Sequence, residues 1–168
     1  MTIFRKQPDF EILIAKRSAS KAKYPNMYDN AVAGGLPHGL SPRECIQKEA
    51  GEEAGIFDNR LLDSISYIGT TWYTKANPCY GFRKQFCFEL DVTNYPEFQP
   101  RAFDGEVDSF EWCNLDKVYE LLCSKSFKPN SALVTFHFLL KNDILKSSEF
   151  SNQFINENMC FQHENLNF

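Results

Sequence analysis

Glu49, Glu52 and Glu53 fall within a five-residue window of GGLPHGLSPRECIQKEAGEEAGI, residues 34–56. Positions three and four apart share a helical face, so on an α-helix these carboxylates occupy an arc of roughly 100°. Like charges so placed cost only a few tenths of a kcal/mol each at a solvated site, so crowding by itself does not mark function. The segment ahead of them changes the balance. GGLPHG is a loop of glycines and a proline that delivers backbone directly to the start of the acidic segment. A rigid face of carboxylates beside such a loop suits a hard divalent cation, Mg2+ or Mn2+, which takes oxygen ligands and bridges to phosphates.

The helix that must present these acids is well marked. Ser41 is an N-cap, Pro42 stands at the first helical position, Glu44 completes a capping box and Gly55 stops the helix. These signals predict a helix over Ser41–Ala54, with Ile46, Ala50 and Ala54 forming a neighbouring stripe of mostly small side chains for packing on a sheet. Strands are expected over residues 10–17, 30–33, 62–71, 85–92 and 107–113. Further helices are expected over 115–123, with Asn114 as a cap, and over 131–141. Turn-rich loops fill 18–29, 73–84 and 94–105. The pattern is one α/β domain with a mixed sheet over residues 1–146, followed by a polar tail, 147–168, that could add a short helix.

The composition narrows the function classes. A chain of 168 residues, 43% hydrophobic and 24% charged, has the proportions of a single globular domain. A net charge of −4 and a pI near 5.4 argue against a phosphate-binding surface for nucleic acid. No apolar run approaches the ~20 residues that cross a bilayer, and MTIFRKQPDF lacks a signal-type stretch, so a cytoplasmic address and no membrane partner are expected. Six cysteines form no CxxC pair or zinc spacing; Cys45 and Cys87 read as buried free thiols. Whether the chain is a monomer or a homodimer is open.

The 34–56 stretch resembles the signature of the Nudix hydrolases. Gly34, Glu49, Ala50, Glu52, Glu53, Gly55 and Ile56 match it in register. Leu40 stands where the first Glu belongs, and Lys48 stands where the Arg belongs, keeping the charge but not the bidentate fork. YPNMYDNAVAGGLPHGLS, FQPRAFDGEVDSFEW and FKPNSALVTFHFLL further resemble the branch associated with thiamine pyrophosphokinase, over roughly residues 3–142. Relatives in that branch carry an additional domain ahead of the catalytic one, which this chain is expected to lack.

The resemblance implies a Nudix-type α/β/α sandwich and a metal-dependent pyrophosphohydrolase. Its partner would be a small-molecule diphosphate, thiamine diphosphate or its oxidised analogues, cleaved to a monophosphate. A nucleotide diphosphate such as ADP-ribose, NADH or coenzyme A is the alternative, and a diphosphate-binding module without turnover is a third. Glu49, Glu52 and Glu53 would hold Mg2+ or Mn2+, with Glu52 or Glu53 instead accepting the proton from water. In Asp104-Gly105-Glu106, Glu106 is a further catalytic candidate, since acids outside the box often serve the family as base or ligand. Phosphate-holding candidates are Arg17 and Lys23, then Lys16, Lys21 and Arg101, together with Gly34, Gly35 and His38 of the loop region. Trp72, Tyr73 and Tyr80 border a polar loop where a heteroaromatic ring could stack, Trp72 being preferred. His137, among Phe136, Phe138 and Leu139, reads as a core histidine.

Overall fold

β2 (Glu11–Arg17) organises the sheet because both of its edges are used along their length. β6 (Val107–Asn114) pairs antiparallel along one edge. The other edge is divided between β1 (Thr2–Arg5), opposite residues 11–13, and β3 (Tyr28–Asn30), opposite residues 14–16. β1 then pairs parallel with β5 (Phe82–Asp91), which runs antiparallel to β4 (Ser66–Thr74). β7 (Cys160–Gln162) adds to the far edge of β4. The computed structural model describes residues 1–74, 82–145 and 160–162.

Alternation along the strands sends side chains to two cores. Ile3, Leu13, Phe88 and Leu90 pack with Ile46, Ala50 and Ala54 of α1 (Pro42–Ala54) and Leu61 of α2 (Asn59–Ser64). Phe4, Ile12, Ile14 and Cys87 pack with Val118 and Leu121 of α3 (Leu115–Cys123) and Val134, Phe138 and Leu139 of α4 (Pro129–Lys141). The result is the expected mixed sheet between helical layers. No helix among the described residues is long and apolar enough to cross a membrane. Cys45, Cys87 and Cys113 are buried free thiols. His137 is buried, with Nε2 3.0 Å from the Ile68 carbonyl.

Several elements differ from the sequence reading. Ala31 and Val32 are buried as an apolar strand would be, but β3 ends at Asn30 because β1 occupies the next stretch of the β2 edge. The run expected as strand from Leu62 begins instead as α2, capped by Asp58. The carbonyls at its end accept from Arg43 of α1, at 3.0 Å for Ile65 and 3.1 Å for Asp63, a non-local cap that no local pattern reveals. β1 went unassigned because four residues carry too little alternation. Tyr80 lies outside the described residues, as does the tail apart from β7, where the short helix was expected.

Candidate active site

α1 starts as its sequence dictates. The Ser41 hydroxyl accepts from the Glu44 N–H, the Glu44 carboxylate accepts from the Ser41 N–H at 2.8 Å, and Gly55 closes the helix in the left-handed region at φ 71°. Packing then treats the three box acids differently. Glu53 falls on the buried face and is only 5% exposed. Its Oε2 accepts from the Ala33 N–H at 2.6 Å, which ties the loop before α1 to the helix. Burial pushes the Glu53 carboxyl up to about 7, opposed by that N–H and reinforced by the charges of Glu49, Asp29 and Asp104. Glu49 is half-buried, and burial raises its carboxyl too. Glu49 lies against the backbone of Gly34, where a Cβ would come within 2.1 Å of its Cδ. Glu52 is exposed and accepts from Lys48 Nζ at 2.5 Å.

A second chain segment brings more acid to this face. The N–H groups of Arg101 and Phe103 donate to the carbonyls of Ala54 and Glu52 at 3.1 and 2.9 Å, so this loop docks on the open end of α1. Close approach requires Gly55, since a Cβ there would sit 2.9 Å from the Phe103 ring and 3.0 Å from the Arg101 carbonyl. Asp104 then accepts from the Glu106 N–H at 2.8 Å. One carboxylate oxygen from each of Glu53, Asp104 and Glu106 lies within 4.8 Å of the others. This all-oxygen set, with one member buried, fits a hard divalent cation and offers nothing to a soft one. Glu49 and Glu52 stand outside that group but line the same cleft of about 1070 Å3 with Asp104 and Glu106.

Basic residues complete the lining of this cleft. Lys21 ion-pairs with Glu106. Arg17 donates from Nε to the Tyr24 carbonyl, from Nη2 to the Lys23 carbonyl and from Nη1 to Asp29, at 3.0, 3.0 and 2.9 Å. Lys128 reaches the same Asp29 carboxylate at 2.8 Å. Arg17 therefore braces the 18–29 loop as well as lining the cleft, where Lys23 lies exposed.

The NUDIX domain family model matches residues 1–133. Nudix hydrolase 20, chloroplastic, of Arabidopsis thaliana is 38% identical over 136 residues, covering 79% of this chain and 35% of its own length. Nudix hydrolase 24, chloroplastic, of the same plant is 37% identical over 135 residues, covering 79% and 36%. The chain belongs to the Nudix domain family. It spans about a third of the length of these curated relatives. The fold is also that of the NUDIX domain of Shewanella oneidensis NrtR, solved with ADP ribose, at TM-score 0.62 and 11% identity, covering 86% of this chain and 84% of that one.

In this Nudix domain, Lys48 serves Glu52 as a point charge, 3.9 Å from Glu49, and Leu40 is a half-buried residue ahead of the N-cap. Gly34 and Gly35 line the cleft, whereas His38 is exposed on the same loop and does not. Trp72 and Tyr73 alternate across β4. Tyr73 lines the cleft, while the Trp72 ring sits beneath Lys84 Nζ, 5.2 Å from its centroid, away from it. Lys16 does not line the cleft, and Arg101 stacks on Phe103 at 5.3 Å. Lys128, Asn130 and Gln85 line the cleft without having been singled out. No local motif marks them, because α4 and β5 reach the site only through tertiary packing. Asp104 carried a weak signal, an acid beside a turn glycine, and it joins the central group.

Proposed function

We propose that this Nudix domain hydrolyses the phosphoanhydride of a small-molecule diphosphate, releasing a monophosphate, with Mg2+ or Mn2+. The observation that carries the reading is the buried Glu53 carboxylate gathered with Asp104 and Glu106, the last two lining a cleft that Arg17, Lys21, Lys23 and Lys128 also line. A divalent cation bound there would lower the pKa of an attacking water and neutralise charge on the phosphoryl oxygens. Glu53, fixed by the Ala33 N–H, is the best-anchored holder, and Glu49 and Glu52 extend the acidic wall towards Lys48. Glu106, the half-buried member of the central group, is our candidate to accept the proton from water. Water oxygen bonds to phosphorus, the bridging P–O bond breaks, and the leaving phosphate carries the electron pair. Lys23 and Lys21 lie where they can steady its oxygens.

The resemblance to the thiamine pyrophosphokinase-associated branch favours thiamine diphosphate or its oxidised analogues as substrate. A second reading, a nucleotide diphosphate such as ADP-ribose, draws on the shared fold with a Nudix domain captured with ADP ribose. Incubation with Mg2+ and a panel of thiamine diphosphate, its oxo analogue, ADP-ribose, NADH and coenzyme A separates them by which monophosphate forms. Thiamine-type release supports the first reading and nucleotide release alone the second. Tight binding without release from any of them would overturn the hydrolase reading in favour of a binding module.

A further inference from the structure

Beside the acid-lined cleft lies a second cavity of about 390 Å3, the size of a small-ligand pocket. Gly34, Gly35, Tyr73, Gln85 and Asn130 line both spaces. One elongated molecule can therefore occupy the two together, with its diphosphate over the carboxylates and its organic end in the smaller cavity. Phe86, Phe88 and Leu36 give that cavity apolar walls suited to a flat ring.

Gln85 stands at the junction, on β5 opposite Thr71 of β4. Its side-chain carbonyl oxygen is sealed from water, and no donor among the described residues reaches it. A buried acceptor without a donor is costly, and most such groups in folded proteins find a partner. The Gln85 side chain lines both cavities, and the terminal torsion of glutamine is broad, so rotation about it can bring the covered oxygen to an incoming donor. Asn30, also on the smaller cavity, already spends its amide on Thr135 at 2.7 Å.

We propose that Gln85 reads the organic end of the substrate, its side-chain carbonyl accepting a hydrogen bond from a ring N–H or exocyclic amine of a flat heterocycle seated in the smaller cavity. The inference rests on the diphosphate-hydrolase reading of the adjoining cleft and adds to it the class of head group. A site built to pair a buried acceptor discriminates against an analogue lacking the donor, because the acceptor is then left unpaired.

The test compares kcat/KM for two matched pairs: thiamine diphosphate with its desamino analogue, and ADP-ribose with the analogue bearing hydrogen in place of the purine amine. Wild type is expected to prefer the aminated member of at least one pair by about 10- to 100-fold. Gln85→Leu is expected to bring that ratio to within about threefold. Without ligand, Gln85→Leu should melt at or above the wild-type temperature, since a hydrocarbon replaces an orphaned acceptor. A ratio unchanged by Gln85→Leu, or a midpoint lowered by more than roughly 5 °C, would overturn the assignment. If wild type cleaves none of the four compounds, the hydrolase reading falls. Titration calorimetry with the corresponding monophosphates, which needs no turnover, then decides Gln85 by the same loss of preference.

Discussion

Behind the acidic lining of the cleft, Glu53 is held by a backbone N–H and by burial, with no basic side chain among the described residues bonded to it. In the basic part of the lining, Arg17 and Lys128 are held by a side chain, sharing the buried carboxylate of Asp29 at 2.9 and 2.8 Å. The acidic wall is thus under-compensated, and its central carboxylates repel one another until a cation arrives. Of the basic side chains, Arg17 and Lys128 have half of their combined charge cancelled in place, one carboxylate against two cations. The contrast explains an order of events. In the proposed reaction a divalent cation would be attracted to the ligand-free cleft, whereas an anionic diphosphate would meet mixed charge and gain most once the cation is present.

Removing the acidic wall's anchor should have the largest effect. Glu53→Gln is expected to lower kcat by about 10^3-fold or more, a rise of about 4 kcal/mol in the barrier, measured as monophosphate release at saturating Mg2+. The same substitution should stabilise the metal-free protein above neutral pH. The folded Glu53 value, about 7, lies above the ordinary 4.5, so the protonated form is the one the fold favours. Its contribution is present below pH 4.5 and is lost as pH rises through about 7, on the order of 3 kcal/mol. Melting curves in chelator at pH 5.5 and 8 should show the Gln variant gaining on wild type with pH; a constant gap refutes this.

Breaking the basic wall comes next. Asp29→Ala leaves two largely buried cations without their carboxylate and is expected to cost about 3–5 kcal/mol of stability, read by denaturant unfolding. Gly34→Ala tests how tightly the two walls' connecting loop is fitted. The added Cβ collides with the Glu49 carboxyl, so about 1–3 kcal/mol of stability and part of the cation affinity should be lost together. Lys21→Met should act least. Its pair with Glu106 is partly exposed, so Mn2+ affinity should rise by no more than about fivefold as Glu106 loses a competing cation. Weaker Mn2+ binding in that variant would show that Lys21 does not compete at this site.

α1 was fully legible in the sequence because caps and stops act within one turn, and Ser41, Pro42, Glu44 and Gly55 do as those types must. The loop-helix arrangement with Gly34 beside it was legible for the same reason. β3 and α2 were misjudged because their limits are set from elsewhere, by β1 on the β2 edge and by Arg43 on the α2 carbonyls. Arg17 was singled out as a phosphate-holding candidate, and its partners in the fold, Asp29 and the 18–29 loop, are visible only when the strands are paired. Trp72 and Tyr73 could not be told apart without knowing which face of β4 meets the cleft.

By itself the sequence determined that three carboxylates share a helical arc, because helix geometry is a local property of spacing. Only the tertiary structure decided which one loses its water and which distant acids join it. Glu53 is buried by packing on the sheet, while Asp104 and Glu106 arrive from about fifty residues away on a loop docked to the end of α1. Desolvation and charge clustering depend on distances between segments, and no pattern along the chain encodes those distances directly.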